Sequence, residues 1–423
     1  MVITKTTNIN ANITIPGDKS ISHRAVMLGS LAKGITRVKN FLIGDDCLAT
    51  IKCFEQMGIK ITQDKDITIY GNGLNGLKQP SMPLDVGNSG TTIRLLSGIL
   101  AGQDFSTTIS GDDSIEHRPM NRILIPLRQM NADITASKDN SYAPLHIKPS
   151  TLQNTLYNSP VASAQVKSSV LLAGLYTEGE TSVVEPVLSR NHTELMLTGF
   201  GAKVISRGTQ ATVEGFPALQ GLDINIPGDI SSAAFFLVAG LIVPSSEIYM
   251  ENIGVNPTRA GIITVLQDMG GDITLHNQRI ECGEPVCDIL VRSSDLKATS
   301  ISGDIIPTLI DEIPVIAVAA CFAKGTTTIS DAKELKVKEC DRIAVMTCEL
   351  SKMGADIVAT DDGLIITGTS HLTGAPIETH GDHRVAMSLA IAGLVSEGET
   401  LIHNSDCVNI SFPQFFKILD ELC

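Results

Sequence analysis

No apolar run in this chain reaches the roughly 18 residues that a membrane-crossing helix needs. The N-terminus also lacks the basic-then-apolar layout of a secretory signal. Neither a membrane nor an export route is expected, and the sequence reads as cytoplasmic. Disulfide signals are missing as well: the nine cysteines are an odd number scattered without a framework, which suits reduced thiols. Cys282 and Cys287 have no second pair at zinc-finger spacing, so no structural metal is expected. Positive charge is scarce, with 32 Lys and Arg against 46 Asp and Glu and a formal net charge of −14. Nucleic acid and anionic lipid both want a basic face, so neither is an expected partner. Against that background, arginines gathered into a few short motifs point to small, highly charged anionic ligands.

At 423 residues the chain exceeds what one core usually serves, so two domains are expected, and 43% hydrophobic residues suffice for both. One stretch organises the reading, Ile15-Pro16-Gly17-Asp18-Lys19-Ser20-Ile21-Ser22-His23-Arg24. Pro16 and Gly17 end an extended start, Ser20 or Ser22 is suited to cap a helix, and the apolar residues from Ala25 to Leu31 have helical spacing. Lys19 and Arg24 therefore fall at a helix N-terminus, which already carries partial positive charge. A solvated basic turn is the plain alternative. An anion held there is the reading that the rest of the chain favours.

The chain repeats itself. A unit of helix, strand, helix, strand, strand runs through Leu31-Ala32-Lys33-Gly34, the strand Ile35–Val38, a helix from Asp46 to Gly58 and a hairpin of Ile59–Thr62 with Ile67–Tyr70. Further copies open at Asn88, Ser163, Gly228, Asp311 and Gly381, roughly 70 residues apart. Second helices are expected over Arg118–Asn131, Arg190–Gly199 and Arg259–Gly270, and in a helix containing Arg342. The sixth copy breaks off near Leu419, and residues 2 to 15 are expected to supply its missing strands. The similar sequences at Ile15-Pro16-Gly17-Asp18 and Ile226-Pro227-Gly228-Asp229 mark the crossovers between two three-unit domains, 15–226 and 1–14 with 227–423. Duplication explains the helices but not why so many cations share one location.

Several look-alikes fail. Gly71-x-Gly73-x-x-Gly76 resembles a dinucleotide loop, but Pro80 and Pro83 forbid the helix it needs. Gly17-Asp18-Lys19-Ser20 lacks the upstream glycine of a phosphate-binding loop. His380 and His383 have no further ligand at metal spacing. The fifth unit carries the signal for chemistry: Asp311 and Glu312 open an apolar helix, and Lys338-Glu339 with Arg342 open the next. Salt bridging is one account of these carboxylates, and general acid–base work beside a cationic substrate site is the other.

Seven ordered motifs together resemble the enolpyruvyl transferase family over essentially the whole chain. They are Pro-Gly-Asp-Lys-Ser-Ile-Ser-His-Arg at 16–24, Gly-Asn-Ser-Gly-Thr-Thr-Ile-Arg at 87–94, Arg-Pro-Met at 118–120 and Ser-Ala-Gln-Val-Lys at 163–167. Ser-Arg-Asn-His-Thr-Glu at 189–194, Val-Lys-Glu-Cys-Asp-Arg at 337–342 and Asp-His-Arg at 382–384 complete them. Within the family the branch acting on shikimate 3-phosphate is the better match. The resemblance implies an α/β (α+β) fold of the inside-out α/β barrel type, with two similar domains of three β-α-β-α-β-β units and a ligand cleft between them. It implies transfer of the enolpyruvyl group of phosphoenolpyruvate to shikimate 3-phosphate with release of phosphate, no cofactor and no metal; a monomer is expected. Domain closure on binding both anions follows as an expectation, because each ligand would draw cationic walls together.

The resemblance also implies roles. Lys19 would touch both substrates, Ser20 and Arg24 would hold the shikimate part, and Ser163, the Ala164 backbone, Arg190 and Lys338 would bind its phosphate. Gln165 would lie against the ring and also reach phosphoenolpyruvate, which Gly90, Arg118, Arg342 and Arg384 would clamp. Arginine suits carboxylate and phosphate through paired hydrogen bonds. Asp311 would take the proton of the 5-hydroxyl, and Glu339 with Lys19 would handle the proton at the methylene carbon. Three positions depart from the family pattern: Ile410 precedes Ser411-Phe412-Pro413 where many members carry Lys, Ala164 replaces a common Ser, and Leu95 follows Arg94 where Pro is frequent. These features resemble a divergent bacterial branch with some glyphosate-tolerant members, although Gly90 leaves room for that inhibitor. A UDP-N-acetylglucosamine enolpyruvyl transferase usually has Lys-Asn in place of Lys19-Ser20 and a Cys within the segment matching Gly111–Pro119, which has none here. A non-catalytic anion-binding repeat protein would be better served without Asp311 and Glu339.

Overall fold

The computed structural model describes residues 1–369 and 371–422. They divide into two compact units: one of Met1–Pro16, Pro227–Ile280 and Pro285–Cys423, the other of Gly17–Ile226 with the turn Glu281–Glu284. That turn, expected with the C-terminal half, groups instead with residues 17–226.

Each repeat is built on a small sheet of one pattern. In the first, the central strand Lys33–Lys39 pairs antiparallel with Ile67–Asn72, which pairs antiparallel with Lys60–Gln63. A short parallel strand, Asp223–Asn225, flanks the other edge of Lys33–Lys39. The same order recurs around Thr107–Ser110, Glu180–Val184, Glu247–Gly254 and Thr326–Ile329, giving five four-stranded sheets and one three-stranded sheet among the described residues. β-branched residues make these strands, as in Ile-Thr-Ile at 67–69 and Thr-Thr-Thr-Ile at 326–329.

The chain termini depart from expectation. Val2–Thr4 does complete the sixth sheet, pairing antiparallel with Glu399–Leu401. Asn10–Ile13 does not; it lies parallel to Glu247–Met250 as the leading strand of the fourth sheet. The strand that precedes the first helix thus serves the fourth repeat, and Asp223–Asn225, which precedes the fourth helix, serves the first. Between strand and helix the chain must turn tightly at Gly17, where a Cβ would sit 1.8 Å from the Asn40 carbonyl oxygen.

Each unit has its own apolar core. The first helices of the repeats supply much of it and are buried almost all round, as in Ile230–Ile242 and Ile313–Cys321, so their short polar starts are the parts left for other work. Burial of Phe236, Phe412 and Phe415 in edge-to-face and tilted contacts anchors the C-terminal helix Phe415–Leu422. No helix among the described residues is long and apolar enough to cross a membrane.

Second helices begin later than their arginines suggest. Asn121–Gln129, His192–Gly199 and Gly261–Asp268 leave Arg118, Arg190 and Arg259 in the segments just before them, and the helix of the first repeat runs Asp45–Gln56. Pro119 and the short helix Asp113–Glu116 account for the delay at Arg118. Only Arg342 heads its helix, Arg342–Lys352.

Candidate active site

In the unit of residues 17–226, the expected site residues gather at helix starts. The first helix runs Lys19–Leu31, and its cap is Asp18 rather than Ser20 or Ser22: the Asp18 carboxylate accepts from the Ile21 N–H at 2.9 Å. Lys19 is paired with the buried carboxylate of Asp46. One turn on, Arg24 is buried and donates to Thr193 Oγ1 at 2.7 Å, Ser168 Oγ at 2.8 Å and the Ser20 carbonyl at 2.9 Å. All three partners are neutral. Burial pulls its guanidinium down to about 10, with Glu194 and Asp18 working the other way, so it stays charged at neutral pH.

Gly90 is the first residue of the helix Gly90–Ala101, capped by Ser89, whose hydroxyl accepts from the Thr92 N–H at 3.2 Å. A Cβ on Gly90 would come within 3.1 Å of Arg118 Nη1 and 3.3 Å of Arg94 Nη1. Glycine is what lets two guanidinium groups approach this helix start. Arg94 donates to Gln165 Oε1 at 2.6 Å, and Gln165 Nε2 donates to Thr91 Oγ1 at 3.2 Å, fixing which end of the amide is the donor. Arg118 also donates to Ser114 Oγ at 3.1 Å.

Ser163 caps the third first helix, Ala164–Gly174, so the hydroxyl of Ser163 and the N–H of Ala164 belong to a helix N-terminus able to bind an anion. Behind them lies a buried network. Lys167 pairs with Glu185 at 3.0 Å and Glu194 at 2.9 Å and donates to the Ser189 carbonyl at 3.2 Å, next to Arg190.

The unit of residues 227–423 brings together Asp311, Lys338, Glu339, Arg342 and Arg384. Asp311 and Glu312 precede the helix Ile313–Cys321, with Glu312 in the capping position. The Asp311 carboxylate lies 3.3 Å from Arg342 Nη1, 3.5 Å from Lys338 Nζ and 3.8 Å from Arg384 Nη2. Arg384 Nη1 also donates to the Asp311 carbonyl at 3.2 Å. Arg342 donates from Nη2 to Glu339 at 2.7 Å and from Nε to Asp382 at 2.7 Å. Burial works against its charge, but Asp382, Glu339 and Asp311 together outweigh that and hold its pKa above the ordinary value. Asp382 is fully buried and caps the helix His383–Gly393 by accepting from the Arg384 N–H at 2.8 Å; burial opposes its ionisation, and Arg342 overrides this and keeps its pKa low.

Other cations noted in the sequence are framework. Arg259 is buried against Asp229 at 2.9 Å and the Ser231 hydroxyl at 2.6 Å, and Ser231 in turn bonds Glu312. His380 lies 3.7 Å from Glu349, and no group of three or more His, Cys, Asp or Glu among the described residues is placed to hold a metal ion. Ile410 closes the turn Ser405–Ile410, just ahead of the buried Phe412.

Sequence reasoning did not single out Asp46, Arg94, Glu185 or Asp382 as parts of the site. Arg94 and Asp382 sit inside the quoted motifs, so a signal existed. Asp46 and Glu185 stand apart from theirs, and only folding places them beside Lys19 and Ser163.

The family described as EPSP synthase (3-phosphoshikimate 1-carboxyvinyltransferase) matches residues 3–419. A 3-phosphoshikimate 1-carboxyvinyltransferase of Brevibacillus brevis is 55% identical over 415 residues, covering 98% of this chain and 97% of the relative. One from a Thermoanaerobacter species is 56% identical over 411 residues, covering 97% of each chain. A solved EPSP synthase from Acinetobacter baumannii superposes with a TM-score of 0.91 at 44% identity, covering 100% of this chain and 97% of that one. With sequence, fold and motif order in agreement along nearly its whole length, the chain belongs to the EPSP synthase (3-phosphoshikimate 1-carboxyvinyltransferase) family.

Proposed function

We propose that this chain transfers the enolpyruvyl group of phosphoenolpyruvate to the 5-hydroxyl of shikimate 3-phosphate and releases phosphate, a step of the shikimate pathway to aromatic amino acids. The observation that carries the reading is the setting of Asp311, a carboxylate beside Lys338, Arg342 and Arg384. These cations fix the orientation of a carboxylate, the group a general base needs, beside donors suited to substrate anions.

The parts divide as follows. From residues 17–226, Ser20 and Arg24 hold the ring substituents of shikimate 3-phosphate, while Ser163, the Ala164 N–H and Arg190 hold its phosphate. Gly90 and Arg118 bind phosphoenolpyruvate, Gln165 lies against the ring and reaches phosphoenolpyruvate, and Lys19 serves both substrates. From the other unit, Lys338 serves the shikimate phosphate, and Arg342 and Arg384 serve phosphoenolpyruvate. Arg342 has five N–H groups, and its bonds to Asp382, Glu339 and Asp311 engage four of them. An incoming phosphoenolpyruvate oxygen therefore takes the remaining N–H or displaces Glu339, which releases that carboxylate for proton transfer.

In the chemical step Asp311 accepts the 5-hydroxyl proton as the oxygen bonds to C2 of phosphoenolpyruvate. Glu339, with Lys19, delivers a proton to the methylene carbon C3, giving a tetrahedral adduct. Return of a C3 proton to the base and departure of phosphate from C2 restore the double bond. The same reading has the enzyme acting as a cytoplasmic monomer, which sedimentation at working concentration checks.

The experiment is phosphate release from purified protein with phosphoenolpyruvate and either shikimate 3-phosphate or UDP-N-acetylglucosamine, with mass detection of the product. Release with shikimate 3-phosphate alone, yielding its enolpyruvyl ether, is the expected result. Release with the nucleotide sugar alone overturns the acceptor, and release with neither overturns the reading.

A further inference from the structure

We propose that Glu185 is a positioning residue for the phosphate of the acceptor substrate: it ties together the two segments that present Ser163, Ala164 and Arg190. The inference rests on the reading above and adds a residue to it. The Glu185 side chain is inaccessible to solvent. Its Oε1 accepts from the Ser163 N–H at 2.8 Å, at the cap of the helix Ala164–Gly174. Its Oε2 accepts from the Ser189 N–H at 3.2 Å and the Ser189 hydroxyl at 2.8 Å, in the residue before Arg190. One carboxylate thus bridges two chain segments, alongside the Lys167 bond to the Ser189 carbonyl.

A buried carboxylate behind an anion site would ordinarily oppose the anion. Lys167 offsets part of this by pairing with Glu185 on one side and Glu194 on the other, and the Ser163 and Ser189 N–H groups bonded to Glu185 offset more. What remains of Glu185 toward the substrate is geometry: the orientation of a helix N-terminus and of the segment leading to Arg190. Phosphate binding by backbone N–H groups and a guanidinium depends on such orientation within about 0.5 Å. The Ser163 hydroxyl accepts from the Val166 N–H of its own helix at 3.5 Å, a role that uses a lone pair and keeps the hydroxyl proton for donation.

The test is steady-state kinetics of Glu185→Gln against both substrates, with inhibition by shikimate, the same ring without phosphate, as the internal control. The amide keeps one acceptor for the Ser163 N–H but turns a donor toward Lys167 and the Ser189 N–H, so the charge-assisted half of the bridge is lost. The KM for shikimate 3-phosphate rises roughly tenfold or more, while kcat, the KM for phosphoenolpyruvate and the inhibition constant of shikimate stay close to wild type. Glu185→Asp keeps the charge facing Lys167 but withdraws its oxygens from Ser163 and Ser189. It shows the same split and serves if the amide variant fails to fold. An unchanged KM for shikimate 3-phosphate in a folded variant, or a parallel rise for both substrates and for shikimate, overturns the proposal while leaving the enzyme's reaction intact. A wild-type protein that does not turn over shikimate 3-phosphate overturns the underlying reading instead.

Discussion

Arg24 and Arg342 are the same residue type, both almost wholly buried and both within the first two turns of a helix, yet their surroundings are opposite. Arg24 is held by two hydroxyls and a carbonyl, and burial lowers its pKa. Arg342 is held by three carboxylates, and its pKa is raised. A guanidinium bonded only to neutral groups, with Glu194 and Asp18 acting from further off, leaves more of its charge for a ligand to meet, whereas a carboxylate cage meets it within the protein. On this account Arg24 is a binding cation, and Arg342 is first of all the post around which Asp311 and Glu339 are arranged.

That contrast can be broken at either end. The largest effect is expected at Asp311: Asp311→Asn removes the proposed base, and turnover falls by about 10²–10⁴-fold while both substrates still bind, as single-turnover kinetics and calorimetry would show. Next comes Arg342→Met, which strands Asp382 as a buried, unpaired charge. It costs about 3–5 kcal/mol of stability in addition to activity, readable as a lowered denaturant midpoint. Arg24→Met removes bonds to neutral partners only, so its stability loss is smaller, on the order of 1–3 kcal/mol, and its main effect is a raised KM for shikimate 3-phosphate. Equal stability losses in the two arginine variants would erase the distinction.

The smallest effect concerns His23, one residue before Arg24. Burial pushes its imidazole down to about 3 from 6.5, and its Nδ1 bonds Thr50 Oγ1 at 2.7 Å. The unfolded chain therefore takes up a proton that the folded one refuses. Stability from this group is complete above the unfolded value of 6.5 and is lost as pH falls toward about 3. The slope is at most about 1.4 kcal/mol per pH unit. Urea unfolding at neutral pH and at mildly acid pH should show this dependence in wild type and less of it in His23→Gln.

The repeated helices were legible because each opens with small polar or acidic residues and continues as an apolar run. The cationic motifs were legible because six arginines fall inside short motifs built on Gly, Ser and Asp in a chain that is acidic overall. Positions depending on pairing across long separations were not. Asn10–Ile13 carries no mark that it pairs with Glu247–Met250 rather than with the last sheet, since a four-residue strand has too little pattern to choose a partner. Asp18 took the cap that Ser20 and Ser22 also suited, because three neighbouring residues offer equally good capping oxygens. Arg118 read as a helix start, but Pro119 and the preceding short helix hold it in a bend beside Gly90. Asp46 could not be found from Lys19, because a salt bridge across two helices leaves no spacing in the sequence.

The most direct test of the division between binding and chemistry is calorimetric binding of shikimate 3-phosphate to wild type, Asp311→Asn and Arg24→Met, set beside the turnover of each. The account predicts near wild-type affinity with collapsed turnover for Asp311→Asn. For Arg24→Met it predicts an affinity lower by roughly tenfold or more. Full turnover in Asp311→Asn, or undiminished affinity in Arg24→Met, would contradict it.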